Sequence, residues 1–261
     1  MGLSKDSEIL ACLNDNDVYI VDWTSGLVTE SLFSLEDDSR ERVSAFCLFP
    51  HSKDIVIATQ NNLIRRINLR TKLCEKVFKV PKMPILCMDI DATGTLVATG
   101  SSDSFVRVWD VEKCFCTHSF KDHTDLIHLV RFHPNPYQLQ ILSTSEDSTI
   151  RIYDLNEKRT VACFREHMGL PSDISFSQDN YLLASCGRDK VRKYGDFSRK
   201  NRIQKQWYDT VLISDPSTPF LSSRIPDTRE PLKIGSAALC GCNTSTAYTS
   251  RYLISLRCCS K

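Results

Sequence analysis

An all-β chain of repeated four-stranded units is predicted by three features of the 261-residue sequence. A pattern recurs about every 42 residues, strand-like runs alternate strictly, and no stretch holds a helical period. Each unit opens with two apolar residues three apart and a third two further on: Val43/Phe46/Leu48, Ile85/Met88/Ile90 and Ile127/Val130/Phe132. A turn follows, at Pro50, Ala92-Thr93-Gly94 and Pro134-Asn135-Pro136. Next comes a short apolar strand ending on a hydroxyl: Ile57-Ala58-Thr59, Val97-Ala98-Thr99, Ile141-Leu142-Ser143 and Leu183-Ala184-Ser185. A tight acidic turn and an alternating strand close the unit, as in Phe105-Val106-Arg107-Val108-Trp109 and Thr149-Ile150-Arg151-Ile152-Tyr153, each with one face to bury.

The register is regular. Leu48, Ile90, Phe132 and Phe176 are separated by 42, 42 and 44 residues. Acidic or amide pairs seven apart recur at Asp15–Asp22, Asn61–Asn68, Asp103–Asp110 and Asp147–Asp154. Four short strands in such a span make one β-propeller blade. The expected division is a partial blade at about 7–33 lacking its opening strand, complete blades at about 43–79, 85–120 and 127–165, and the start of a fifth. That makes an incomplete propeller of about four blades. After Val191, Arg192-Lys193-Tyr194-Gly195-Asp196 puts charges where apolar residues belong, so the pattern is expected to stop there.

Charge changes at the same place. Residues 1–191 carry 21 Lys+Arg against 27 Asp+Glu, a net of −6, and residues 192–261 carry 12 against 5, a net of +7. The domain expectation is therefore a partial propeller over 1–191 and an irregular, non-repeat tail over 192–261. That tail reads as disordered or derived from an altered reading frame, an intron or an isoform, with a divergent natural tail as the alternative. Neither an export peptide nor an apolar run of about 18 residues is visible, so a soluble, intracellular chain is expected. Met1-Gly2 matches the start of a myristoylation site, a pattern common by chance. The 12 cysteines are dispersed, and Cys87, Cys163 and Cys186 read as small apolar core residues.

The run Ser101-Ser102-Asp103-Ser104-Phe105-Val106-Arg107-Val108-Trp109-Asp110 resembles the signature of the WD-repeat family. Residues Ser145 to Asp154 repeat it with Tyr153 for Trp, while Ile67-Asn68 and Val21-Asp22 are degenerate versions. The resemblance implies structural roles for the polar residues. His123, Ser143, Asp147 and Tyr153 would form a hydrogen-bond chain within one blade, and His167, Ser185 and Asp189 would begin the same chain one blade later. The blade with Thr99, Asp103 and Trp109 has Pro81-Lys82 near the His position, so its network is expected to be incomplete. Buried networks of this kind stabilise only when every member is paired.

A His-Ser-Asp set invites a catalytic reading, but a hydrolase places its serine on a strained turn beside an oxyanion hole. Ser143 lies within a strand, so no catalytic residue is assigned. His118, His123, His128 and His133 fall every five residues after Cys114-x-Cys116, a period that matches neither one helix face nor one strand face. No metal site or cofactor is expected there. Cys240-x-Cys242 and Cys258-Cys259 in the tail could in principle form a thiol cluster.

Three further stretches narrow the resemblance: Met88 to Gly100, Leu129-Val130-Arg131-Phe132-His133-Pro134-Asn135-Pro136 and Ser185-Cys186-Gly187-Arg188-Asp189-Lys190. Over about residues 7–191 the chain is similar to the first propeller of the transducin-beta-like family associated with U3 small nucleolar RNA. Members of that family are longer, with two tandem propellers and a helical C-terminal region. The resemblance implies a non-catalytic scaffold in the nucleolar small-subunit processome, which supports pre-rRNA processing through contacts with other WD-repeat subunits. Contact with the pre-rRNA and U3 particle is expected to be indirect, because residues 1–191 are net negative. No membrane or small-molecule partner is expected. The competing reading is a substrate receptor of a cullin-type ubiquitin ligase. Such receptors often carry Trp-Asp-x-Arg, whereas Trp109-Asp110-Val111-Glu112 and Tyr153-Asp154-Leu155-Asn156 lack the Arg. Expected partner loops are Lys121, Asp122, Thr124 and Asp125, with Arg165 and Glu166 one blade on. An open fan leaves strand edges unpaired, so dependence on partners for solubility is expected.

Overall fold

The computed structural model describes residues 2–3, 9–14, 17–22, 28–29, 42–80, 83–176, 182–189, 191–196, 208–211, 244–248 and 253–257. Among the described residues every regular element is a β-strand. The first sheet holds β1 (Gly2–Leu3), β2 (Ile9–Asn14), β3 (Asp17–Asp22) and β4 (Val28–Thr29). The second holds β5 (Val43–Leu48), β6 (Asp54–Thr59), β7 (Leu63–Asn68) and β8 (Cys74–Lys79). The third holds β9 (Ile85–Ile90), β10 (Leu96–Ser101), β11 (Val106–Asp110) and β12 (Phe115–Phe120). The fourth holds β13 (Ile127–Phe132), β14 (Gln140–Ser145), β15 (Ile150–Asp154) and β16 (Arg159–Phe164). The fifth holds β17 (Pro171–Phe176), β18 (Leu182–Gly187), β19 (Val191–Asp196) and β20 (Tyr208–Val211), and β21 (Thr244–Tyr248) pairs with β22 (Leu253–Arg257) as a hairpin.

In all five sheets, strands adjacent in sequence are adjacent in space, which is the blade topology. The fold class is the all-β WD-repeat propeller. The chain divides into two compact units, Met1–Ser143 with Tyr153–Thr160, and Thr144–Ile152 with Val161–Lys261. Within the first unit the opening strands β5, β9 and β13 lie side by side.

Packing explains why the second strand of a blade is so apolar. All six residues of β6 are buried. Ile55 and Ile57 face a core with Ala11, Val18, Ile20 and Val43, whereas Val56 and Ala58 face another with Ile85, Met88, Val97 and Trp109. Strand residues alternate between faces, so a sheet covered on both sides needs apolar side chains at every position. In β10, Val97 likewise serves one core and Ala98 the next, with Val108, Ile127, Val130 and Phe132. Each fully buried aliphatic side chain contributes about 1.5–3 kcal/mol.

The turns carry the repeat in backbone form. Asn62, Ser104 and Ser148 take positive φ of 59°, 66° and 62°, and Lys72, Cys114 and Lys158 take 57°, 58° and 53°. Both sets repeat at the spacing of the sequence pattern, so the second, third and fourth blades bend their chain at the same two places. The second set sits where the third strand passes to the fourth, beside pairing shifts at Arg66/Ile67 and Val108/Trp109. That shift breaks the alternation expected in the third strand, and Val108 and Trp109 are both buried.

Two boundaries differ from the sequence expectation. The first sheet has an opening strand after all, because Gly2 and Leu3 pair with Ala11 and Leu10; two residues are too few to leave an alternating pattern. The third strand of the fifth blade does not stop at Val191. β19 runs to Asp196, pairing Arg192 with Cys186 and Lys193 with Ser185, and β20 adds a fourth strand. Ladder hydrogen bonds come from the backbone, so a charged sequence can still extend the sheet.

Close approach of neighbouring blades depends on one missing side chain. A Cβ on Gly100 would lie 2.5 Å from Ile127 Cγ2 and 2.6 Å from Cys87 Sγ, both within the buried junction. Gly100→Ala is expected to cost about 1–3 kcal/mol of stability, as overpacking does. Pulse proteolysis in urea reads this, and an unchanged midpoint would show that the junction has slack.

Candidate functional site

The second strands of the second to fifth blades each carry a buried hydroxyl near their C-terminal end: Thr59, Thr99, Ser143 and Ser185 are at most 3% exposed. A hydroxyl in that position needs a partner. In the third blade Thr99 Oγ1 accepts from Trp109 Nε1 at 2.9 Å and donates to the Arg107 carbonyl at 3.3 Å. In the fourth, Ser143 Oγ and His123 Nε2 share a hydrogen bond at 2.6 Å. In the fifth, Ser185 Oγ lies 2.8 Å from His167 Nε2, and His167 Nδ1 lies 2.8 Å from Asp189 Oδ2. With the Nδ1 proton held by the carboxylate, Nε2 is left to accept from the serine. The Met168 N–H also donates to Asp189, which ties the entering loop to the turn.

The remaining predicted network residues are placed as follows. Tyr153 is fully buried with its ring stacked on Phe120 at 4.6 Å. Asp147 Oδ1 accepts from the Thr149 N–H at 2.9 Å and from its hydroxyl at 2.6 Å, which closes the acidic turn. Asp103 pairs with Arg107, Nη2 to Oδ2 at 2.7 Å, and accepts from the Ser101 hydroxyl. Arg107 thus occupies the carboxylate that His takes in the fifth blade. It was missed in the sequence, although its place four residues after Asp103 in an alternating strand was the available signal. Pro81 and Lys82 lie outside the described residues.

Burial decides what these sets can do chemically. Ser143 and Ser185 are fully buried, and His123 and His167 are 3% and 6% exposed. A nucleophile must touch its substrate, and these hydroxyls touch only the blade. The four evenly spaced histidines also diverge: His118 Nε2 donates to the Leu155 carbonyl at 3.1 Å, His123 meets Ser143, His133 Nδ1 accepts from the Asn135 N–H at 3.2 Å, and His128 is half-buried on β13. Among the described residues no group of three or more His, Cys, Asp and Glu converges as metal ligands would. Cys240, Cys242, Cys258 and Cys259 lie outside them. Cys87 and Cys186 are buried and Cys163 is half-buried; burial pushes the Cys87 thiol up to about 12.

Two further polar clusters were not foreseen. Arg66 pairs with Asp54 at 2.6 Å, with Glu75 at 3.3 Å and with Glu112 of the next blade, and its guanidinium stacks over Phe49. Asp89 on β9 accepts from the Phe132 N–H at 2.8 Å and lies 3.7 Å from Arg131 on β13. Their side chains lie in runs with no short-range motif, so only the packed blades bring them together.

The predicted partner loops are exposed. Lys121, Asp122, Thr124, Asp125, Arg165 and Glu166 all reach solvent around the buried His123 and His167. The Thr160 hydroxyl donates to Asp122, Asp125 Oδ1 accepts from the Leu126 N–H at 2.8 Å, and Lys121 Nζ sits 5.2 Å from the Phe105 ring centroid. These bonds hold the loops to the blade and leave their outer faces open.

Repeated four-stranded blades locked by His, Ser/Thr, Asp and Trp define a WD-repeat protein. Residues 72–110, 114–154 and 158–191 match the WD domain, G-beta repeat, and the chain belongs to that family. It is 35% identical over 190 residues to Transducin beta-like protein 3 of Bos taurus and 33% identical to that of Homo sapiens, covering 72% of this chain. It is 28% identical over 131 residues, half of this chain, to U3 small nucleolar RNA-associated protein 13 of Saccharomyces cerevisiae. The chain spans 23% of the length of the first two relatives and 16% of the third.

Removing the Ser143 hydroxyl leaves a buried imidazole nitrogen without its partner. Ser143→Ala is expected to cost about 1–3 kcal/mol, and Glu166→Ala on the exposed loop less than about 0.5 kcal/mol, both by pulse proteolysis; equal costs would contradict a locking role.

The two carboxylates respond oppositely to pH. Burial pushes Asp89 up, with Arg131 and the Phe132 N–H offsetting only part of it. Its contribution to stability is therefore present when it is protonated and is lost as pH rises through the raised value. Burial also opposes ionisation of Asp103, but Arg107 and Ser101 outweigh it and hold that carboxyl below its ordinary range, so its stabilisation is lost on acidification. At pH 7 Asp89→Asn should therefore raise the unfolding midpoint and Asp103→Asn lower it; the first difference shrinks as pH falls through the raised Asp89 value, the second only below about pH 4. The same sign for both variants at pH 7 would refute this.

Proposed function

We propose that the chain is a non-catalytic WD-repeat scaffold of small-subunit ribosome biogenesis, acting in the nucleolus within an assembly of other WD-repeat proteins. The similarity to Transducin beta-like protein 3 and to U3 small nucleolar RNA-associated protein 13 is the observation that carries this reading. The burial of both His–Ser pairs supports a structural use of the polar residues, which leaves the exposed loops for partners. A loop braced by its blade presents its side chains in one conformation, which lowers the ordering cost of binding a neighbour. The loop around Lys121–Asp125 in the first unit and, separately, the loop around Arg165–Glu166 in the second are the proposed docking loops, each braced by hydrogen bonds at its base. Through those neighbours the chain joins the particle of pre-rRNA and U3 RNA.

Affinity purification of the tagged chain from cells tests the reading. Recovery of fibrillarin-type nucleolar proteins together with U3 RNA is the expected result. Recovery of a cullin and its adaptor instead would favour the substrate-receptor reading, despite Glu112 and Asn156 standing where the receptor Arg would be.

A further inference from the structure

The loops opposite Lys121–Asp125 form one connected rim. There the Leu69, Val111 and Leu155 N–H groups, each at the end of a third strand, donate to the Lys53, Thr95 and Leu139 carbonyls of their own blades at 2.8, 3.1 and 2.9 Å. Contacts to backbone carbonyls join the blades at this end, beside the Arg66–Glu112 pair: His51 Nε2 to Ala92 at 2.9 Å, Lys76 Nζ to Glu112 at 2.7 Å, and His118 Nε2 to Leu155 at 3.1 Å. The turns of the second, third and fourth blades are thereby held in a fixed row.

That row is unevenly charged. Arg70, Lys72, Lys113 and Lys158 are exposed on its third-to-fourth-strand turns. Arg70, Lys72 and Lys158 have no ion-pair partner among the described residues, and Lys113 only approaches Asp110 at 3.9 Å. The two exposed carboxylates of these turns are already engaged, Glu112 by Arg66 and Lys76 and Glu157 by Arg159 at 2.5 Å. Lys158 also adds to burial in pushing the His118 imidazole below its ordinary value, a sign of positive potential at the rim. The net −6 of residues 1–191 hides this local excess of cations.

Two exposed rings lie among the cations. Tyr137 is 91% exposed at the tip of the loop bonded to the Leu155 turn, and Phe115, two residues after Lys113, is 48% exposed. The Tyr137 loop is braced: its N–H donates to Asn135 Oδ1 at 3.0 Å, and the Asn135 N–H donates to the buried His133. A nearly naked aromatic ring on a rigid loop costs little entropy to engage and gains little unless something flat covers it.

We propose that this rim binds single-stranded RNA directly, with Lys72, Lys113 and Lys158 on phosphates and Tyr137 and Phe115 stacking bases. Cations tracking a backbone beside aromatic platforms are what an unpaired strand requires, and an acidic peptide would use the cations alone. This deepens the ribosome-biogenesis reading above and rests on it for the choice of RNA, with the contact made by the chain itself and not only through neighbours.

Fluorescence anisotropy of a labelled single-stranded oligouridylate with the full chain, at two salt concentrations, tests the proposal. The variant K72E/K113E/K158E alters only exposed turn positions and should fold as the parent does. It is expected to bind at least about tenfold more weakly and to lose about two from the salt slope. Tyr137→Ala should weaken binding at least about fivefold with the slope unchanged. Parent-like binding by both variants overturns the proposal. So does tighter binding of a polyglutamate peptide than of RNA, indifferent to Tyr137→Ala, which would assign the rim to an acidic protein. RNA binding lost in the triple variant while the tagged parent recovers a cullin leaves this proposal standing and removes the scaffold reading. Nucleolar partners without any RNA affinity do the reverse.

Discussion

A strand buried on both faces can keep a polar side chain only where a partner already waits for it. The second strands of the second to fifth blades hold such a residue, a hydroxyl near the strand's C-terminal end with almost no exposure. Satisfying that one group fixes much else. It draws in Trp109 from the third strand of one blade and His123 or His167 from the loops entering two others. Through Asp189 it reaches the acidic turn of the fifth blade, and with it the loop at Met168. The unsatisfied alternative costs about 1–3 kcal/mol for each group, a sizeable share of the stability of any domain.

The solution differs from blade to blade while the constraint stays the same. The third blade, with no histidine described at its entering loop, turns its acidic residue toward Arg107 and gives its hydroxyl to the indole. The second blade has neither Trp nor His at these places, and Thr59 Oγ1 donates to the Leu63 carbonyl at 3.4 Å. Its charge is carried instead by Arg66, which reaches across to Glu112 of the following blade. Degenerate repeats are thus repaired by contacts between blades, so their order matters more than any single motif.

The fold was legible because the constraint repeats. Burial on both faces forces apolar runs, left-handed turn residues fall in register, and the same hydroxyl recurs about every 42 residues. The His123–Ser143 and His167–Ser185–Asp189 contacts were legible for the same reason. What escaped was whatever the repeat does not encode. The two-residue strand at Gly2–Leu3 leaves no period, and the pairing of β19 through Asp196 is made by backbone against an unpromising sequence. The Arg66 and Asp89 clusters join residues on different blades, so only folding assembles them. Net charge averages over the whole repeat region, so the exposed cations Arg70, Lys72, Lys113 and Lys158 on the third-to-fourth-strand turns leave no trace in it.

The polar residues of the repeat are spent on locking each blade from within. A double-mutant cycle on His123 and Ser143 measures this most directly, using His123→Ala, Ser143→Ala and the pair. Residues sharing a buried hydrogen bond should couple by at least about 0.5 kcal/mol, with the double variant less damaged than the two single costs combined. Costs that simply add would mean that the 2.6 Å contact contributes nothing to holding the blade, and the account would fail.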